Sequence, residues 1–223
     1  MKILSSVLIY ILLSIPAMAY AESSLEEIAQ KAFKYYYGDG VTQSFPKAVE
    51  LFTKAAEKGH AESQHNLALI YNQGTAIAED NQKALFWYKK AAQQNHPKSF
   101  HNIALMYEDG RGVTVNKAIA VDWYQKAIEQ GNTNSLFNLA LLYLNGDGIA
   151  KDSQSAFNLF QKAADEGDIK AENYLALLYL SGEGVKKNLP QGIALLKSAA
   201  EKGLASAQHN LGKNTYQVKM DWS

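Results

Sequence analysis

Apolar and small residues return along this chain every 36 positions. The string Ala55-Ala56-Glu57-Lys58-Gly59 comes back as Ala91-Ala92-Gln93-Gln94-Asn95, Ala127-Ile128-Glu129-Gln130-Gly131, Ala163-Ala164-Asp165-Glu166-Gly167 and Ala199-Ala200-Glu201-Lys202-Gly203. A fixed period of this size is the mark of a stacked repeat. Two amphipathic patterns fill each period. The first, helix A, carries Ser63, Leu67, Ala68 and Tyr71, then Ser99, Ile103, Ala104 and Tyr107, and continues through Leu139, Ala140 and Tyr143 to Leu175, Ala176 and Tyr179. Spacings of three and four put these on one helical face. The second, helix B, carries Ala48, Leu51, Phe52, Ala55 and Ala56, with Trp87-Tyr88, Trp123-Tyr124, Leu159-Phe160 and Leu195-Leu196 as the later bulky pairs.

Stop signals separate the two. Helix A ends at Gly38, Gly74, Gly110, Gly146 and Gly182, where a left-handed C-terminal cap is cheapest. A second glycine follows at Gly40, Gly112, Gly148 and Gly184, with Ala76 in the second unit. If that loop needs positive φ, Ala76 costs about 1 kcal/mol and Ala76→Gly stabilises. Ser44, Asp80, Asn116, Asp152 and Asn188 then stand as N-caps of helix B, with Pro46 and Pro190 in the first turn. Gly59, Asn95, Gly131, Gly167 and Gly203 close helix B. The reading gives helices at 24–37, 45–58, 61–73, 81–94, 97–109, 117–130, 133–145, 153–166, 169–181 and 189–202, plus a capping helix from about Leu204 whose pattern dissolves at Tyr216 to Ser223.

Composition narrows the class. The chain of 223 residues is 47% hydrophobic and 20% charged, with 22 basic and 22 acidic residues, which suits a packed domain. Arg111 is its single arginine and no basic stripe exists, so nucleic acid is excluded as a partner. Residues 1–21 pair Met1-Lys2 with the apolar run Ile3 to Ile15 and end Pro16-Ala17-Met18-Ala19-Tyr20-Ala21, the form of a secretory signal peptide cleaved after Ala21 or, second, Ala19; the alternative is an uncleaved anchor. Without the leader the count is 21 basic against 22 acidic residues, a net charge of −1. No cysteine is present, so an exported chain relies on packing without disulfides. The expectation is a soluble chain of the periplasm, with secretion second, in which 22–223 form one repeat domain of units 24–59, 60–95, 96–131, 132–167 and 168–203.

The units resemble Sel1-like repeats, a family related to tetratricopeptide repeats. The third unit carries the resemblance most fully, through Ile103, Tyr107, Gly110, Arg111, Gly112, Val113, Asn116, Ala118, Trp123, Tyr124, Lys126 and Ala127. Departures are Ala76, the alanines Ala104, Ala140 and Ala176 where the family usually has glycine, and the lack of cysteine. The resemblance implies an all-α, right-handed superhelical solenoid presenting a concave surface to other proteins. It implies an adaptor or, in some members, a periplasmic immunity protein against lipase-type toxins. Some cysteine-rich relatives imply a third reading, a hydrolase of the β-lactamase-like kind.

Chemistry-bearing residues give little for catalysis. The Gly-x-Gly loops follow helix ends, and their first glycine recurs in every unit, unlike phosphate cradles, so no cofactor is expected. Ser44-Phe45-Pro46-Lys47 matches Ser-x-x-Lys, but Ser44 is an N-cap and the companion motifs are missing. His65, His101 and His209 share one repeat position and are read as surface-facing contact residues, not metal ligands, because no His-Glu-x-x-His pair accompanies them. On the wheel, Asn66 aligns with Asn102, Asn138, Tyr174 and Asn210, a ladder suited to pairing with an extended peptide backbone. The candidate partner site is therefore Asn66, Asn102, Asn138, Tyr174 and Asn210, flanked by His65, His101 and Phe137. The competing reading is that these asparagines bridge neighbouring A helices or bond their own backbone.

Overall fold

The computed structural model describes the backbone of residues 24–221 and the side chains of 24–214. The leader expected at 1–21 lies outside the described residues. Among the described residues the chain forms eleven helices and no strand. The A helices are α1 (24–37), α3 (Ala61–Gln73), α5 (Pro97–Asp109), α7 (Asn134–Asn145), α9 (Ile169–Ser181) and α11 (Ala205–Asp221). The B helices are α2 (Phe45–Glu57), α4 (Asn81–Ala92), α6 (Lys117–Glu129), α8 (Ser153–Asp165) and α10 (Leu189–Glu201). The starts agree with the sequence reading, apart from a one-residue later start at α7 and α11. The B helices end a residue or two sooner, because the last predicted residues belong to the closing turn. The capping helix runs on to Asp221, past the point at which the apolar pattern fades.

The chain falls into two compact units, one ending at Ser99 and one beginning at Phe100. The same rules build both. Each B-to-A turn is a Schellman motif, in which the left-handed residue bonds one carbonyl and the next residue bonds the carbonyl before it. Gly59 N donates to Ala56 O at 3.0 Å and His60 N to Ala55 O at 3.0 Å; Gly167 N donates to Ala164 O at 2.9 Å and Asp168 N to Ala163 O at 2.9 Å. Asn95 fills the left-handed place in its turn at φ 59, as an asparagine tolerates. Each A-to-B loop is pinned by its N-cap amide: Ser44, Asp80, Asn116, Asp152 and Asn188 donate to the carbonyls of Tyr35, Tyr71, Tyr107, Tyr143 and Tyr179 at 2.8 to 3.0 Å. All five N-caps stand where the spacing predicts. Asp80, Asn116, Asp152 and Asn188 also accept a helix amide through the side chain, whereas Ser44 makes no such bond.

The cores follow from the bulky pair and the alanines. The second residue of each pair, Phe52, Tyr88, Tyr124, Phe160 and Leu196, is at most 1% exposed, and so are Ala48, Ala84, Ala120 and Ala156. The first residue of each pair, Trp87 and Trp123 included, is half-buried and packs against the edge of the core. In the first unit Ala32, Ala48, Phe52, Ala56, Leu67 and Ile70 form one cluster. In the second, Leu136, Ala140, Phe160, Ala163 and Leu175 form the central one.

One expectation is corrected. Asn95 is the single non-glycine residue at positive φ among the described residues, so Ala76 does not adopt the left-handed form and carries no such strain. Where the loop does hold that form, close packing adds to it: Gly184 lies at φ +70, and a Cβ there would overlap the Ser153 carbonyl at the start of α8. Gly131, at φ +82, faces open space. Gly184→Ala is expected to lose about 2–4 kcal/mol of stability and Gly131→Ala about 1 kcal/mol, while Ala76→Gly loses roughly 0.5–1 kcal/mol instead of gaining. Urea titrations of the three variants check this order.

Candidate functional site

The asparagines of the candidate site are held by bonds that differ from copy to copy. In the first unit Asn66, half-buried on α3, donates through Nδ2 to the Glu62 carbonyl at 2.7 Å and to Glu62 Oε1 at 3.1 Å. In the second, Asn138 Nδ2 donates to Tyr124 Oη at 3.0 Å, and that hydroxyl donates to Glu108 Oε2 at 2.6 Å. Burial first, then Glu108, pushes the Tyr124 phenol well above its ordinary pKa, so it stays a neutral donor. Asn210 Nδ2 donates to Asn173 Oδ1 at 3.0 Å, a bridge between the adjacent A helices α11 and α9. Local and bridging bonds of the kind that compete with partner binding therefore occupy Asn66, Asn138 and Asn210. Asn102 is half-buried on α5.

The flanking residues are more enclosed than the sequence reading expects. His65 is 5% exposed, which corrects its reading as a surface-facing contact residue. Its Nδ1 lies 2.9 Å from Ser99 Oγ, and its ring lies beside those of Tyr88 and His96. His101 Nδ1 meets Ser135 Oγ at 2.9 Å in the second unit, its ring half-buried, and burial lowers its pKa. Phe137 and Tyr174 join buried Phe160 in one aromatic cluster: Phe137 is edge-on to Phe160 and to Tyr174, and Tyr174 stacks on Phe160 at 5.1 Å.

Two cavities flank the ladder, one in each unit. In the first unit a cavity of about 270 Å³ is lined by Phe33, Tyr36, Tyr37, Phe52, Asn66, Leu69, Ile70 and Gln73. In the second unit one of about 460 Å³ is lined by Leu144, Tyr174, Leu177, Leu178, Leu180, Ser181, Glu183 and Asn214. Tyr36, Asn66, Leu69, Ile70 and Gln73 occupy the repeat positions of Leu144, Tyr174, Leu177, Leu178 and Ser181, 108 residues or three periods later. The two cavities are one repeat feature with different linings, aromatic with two carboxamides in the first and mainly aliphatic in the second. The spacing of polar residues points to Asn66 and Tyr174 and not to the apolar members, because leucines and isoleucines on an A helix look like core.

The structure also assembles a series that the sequence does not announce. Glu62, His96 and Ser99 line up through His96, whose Nε2 lies 2.8 Å from Glu62 Oε2 and whose Nδ1 lies 3.0 Å from Ser99 Oγ. Glu26, His60 and Ser63 repeat it one period earlier, at 3.2 Å and 2.8 Å. This is not the layout of a serine hydrolase. Ser99 and Ser63 are both 0% exposed, out of reach of a substrate, and Ser63 N also donates to His60 Nδ1 at 3.3 Å, which makes the imidazole a helix cap. Among the described residues no three histidine or acidic side chains are grouped to hold a metal ion.

The chain carries five matches to the Sel1 repeat model, at residues 29–60, 61–96, 101–132, 133–168 and 169–204. No curated protein matches it. Among solved structures it is similar to c5321, a protective antigen of uropathogenic Escherichia coli, at 31% identity and a TM-score of 0.82 over 87% of this chain and 42% of that one. The chain thus spans less than half the length of that antigen. A Sel1 repeat protein from Oxalobacter formigenes is 29% identical with a TM-score of 0.77, over 85% of this chain and 77% of that one. The immunity protein PA5088 from Pseudomonas aeruginosa is 28% identical with a TM-score of 0.52, over 82% of this chain and 66% of that one. Sel1 repeat proteins typically bind protein partners, and their helical solenoids are generally non-catalytic. Among the described residues no helix is long and apolar enough to cross a membrane.

The buried histidine sets a pH dependence. Burial first, and the neighbouring His96 second, push the pKa of His65 from 6.5 down to about 4. The unfolded chain takes up that proton at higher pH than the folded one, so stability is complete above about pH 6.5 and falls as pH drops toward 4. Glu62 adds a lower window: its hydrogen bond with His96 holds its pKa at about 2 against 4.5, so its contribution is present above 4.5 and lost toward 2. Urea unfolding at pH 7 and at about pH 4.5 is expected to differ by about 2 kcal/mol through His65, a difference that His65→Asn removes. With five helical repeats matching along it, the chain belongs to the Sel1 repeat family of all-α solenoids.

Proposed function

We propose that the chain is a non-catalytic scaffold or adaptor that binds a protein or peptide on the outer face of its A helices. The observation that carries this reading is the recurrence of one cavity at the same repeat positions, beside Asn66 in the first unit and beside Tyr174 in the second. An apolar depression next to an amide or phenol is what an apolar side chain and its flanking peptide group need together. The expected concave site of Asn66, Asn102, Asn138, Tyr174 and Asn210 stays in this proposal with altered roles. Asn66 and Tyr174 are cavity walls, Phe137 packs edge-on against Tyr174, and His65 and His101 are held by Ser99 and Ser135. The domain is taken as 22–223 and the location as exported, periplasmic first and secreted second, on the strength of the leader-like 1–21.

A second reading is an immunity protein that neutralises a secreted lipase-type toxin, favoured by the likeness to the Pseudomonas aeruginosa immunity protein. A phospholipase gene beside this one, and rescue of toxin-expressing cells by the chain, favour that reading over a general adaptor. The β-lactamase-like hydrolase stands third, since Ser44 is the N-cap of α2 and Ser99 is fully buried.

The test begins with proximity labelling in the exported compartment to identify a partner, whose affinity is then measured by calorimetry. Gln73→Ala and Leu177→Ala together are expected to weaken binding by about tenfold or more, and Asn102→Ala with Asn138→Ala by a similar factor. Unchanged affinity in both double variants moves the site to the B helices or the loops.

A further inference from the structure

The A-helix position that puts Tyr36 and Leu144 into the walls of the two cavities reads Tyr36, Asn72, Glu108, Leu144 and Leu180 along the chain. Glu108, one period before Leu144 in the second unit, is its single charged copy. The residue is half-buried near the end of α5, and its Oε2 accepts from the Tyr124 hydroxyl at 2.6 Å. Asn138 on α7 donates in turn to that hydroxyl at 3.0 Å. The row therefore ends in a carboxylate acceptor held in a fixed place. No cation of the protein answers it. Lys117, near enough for Glu108 to act on its charge, lies 2.7 Å from Asp147, and Arg111 lies 3.2 Å from Asp109. Glu108 enters no ion pair among the described residues. A partly desolvated carboxylate without a counter-charge is costly to hold, and a cation brought by a partner offsets that cost.

Resting on the binding reading above, we propose that Glu108 is the docking point for a lysine or arginine side chain of the bound peptide, while an apolar residue of the same peptide enters the cavity at Leu144 and Tyr174. Charge sets the choice of occupant. An ammonium or guanidinium group supplies only donors, which suits a carboxylate whose neighbour Tyr124 has already given its one hydrogen. An acidic residue there meets Glu108 with like charge, and an aliphatic one leaves the carboxylate more desolvated and still unpaired. The first unit makes no such demand, since its matching positions hold Tyr36 and Asn72. A segment bound to the second unit is therefore cationic toward α5 and apolar toward α9.

A library of random peptides displayed on phage, panned against the full chain at about 0.15 M salt, supplies the probe. The expected pool carries Lys or Arg at a constant separation from an apolar residue. With a synthetic peptide from that pool, replacing its cation by Gln and replacing Glu108→Gln in the chain each weaken binding about tenfold or more, and the two together cost little beyond either alone. Glu129→Gln, which removes an equal charge from the exposed end of α6, leaves affinity unchanged. Panning against Glu108→Lys exchanges the cation of the pool for Asp or Glu. A pool without the cation, equal binding by Glu108→Gln, or the same pool selected by Glu108→Lys overturns the inference and leaves the binding reading standing. Failure to select any peptide overturns both. Glu108→Gln keeps an oxygen that accepts from Tyr124, and the composition of the wild-type pool decides the matter even if a variant fails to fold.

Discussion

The first alanine of each B-helix string is used at both ends. Its methyl group is sealed in the core, with Ala55, Ala91, Ala127, Ala163 and Ala199 at 0 to 2% exposure, and its carbonyl accepts the amide of the residue after the left-handed turn. A larger side chain has no space there, and another turn geometry leaves the carbonyl unpaired in a buried setting. This pair of constraints decides where each A helix begins. It thereby decides which A-helix positions face inward and which form the walls of the repeated cavity.

Because the frame is shared, difference between copies carries specificity. The first unit sets aromatic rings around its cavity and histidines at its helix starts; the second sets leucines around the matching cavity and places Asn132 and Asp168 where His60 and His96 stand. Histidine caps a helix only through a deprotonated nitrogen, whereas asparagine accepts at every pH and aspartate down to the carboxylate range. Two units with nearly the same backbone rules thus start their A helices with different side chains. The ion pairs at the loops, such as Lys117–Asp147 at 2.7 Å and Lys151–Glu183 at 2.9 Å, are solvent-facing and add little to either unit.

How much of this was legible depended on the range of the interaction. Helix starts at Phe45, Asn81, Lys117, Ser153 and Leu189 were readable because a cap acts within four residues, and so were the left-handed stops. Ala76 misled because a loop can take a second backbone path without its glycine. His65 misled because its burial comes from Ser99 and His96, more than thirty residues away in sequence. The asparagine ladder was visible as a row, but whether an amide points to a partner or to its own chain is not written in its spacing. Asn66 turned to Glu62, Asn138 to Tyr124 and Asn210 to Asn173.

By itself the sequence determined the period, the helices, their caps and the inner face of each, since these follow from residue volumes and backbone preferences repeated 36 residues apart. Only the tertiary structure decided which polar groups meet. It joined Glu62, His96, Ser99 and His65 into one line and set Asn66 against it, because hydrogen bonds between side chains depend on ångström-level placement across neighbouring helices. The periodic pattern constrains that placement to a face and no further.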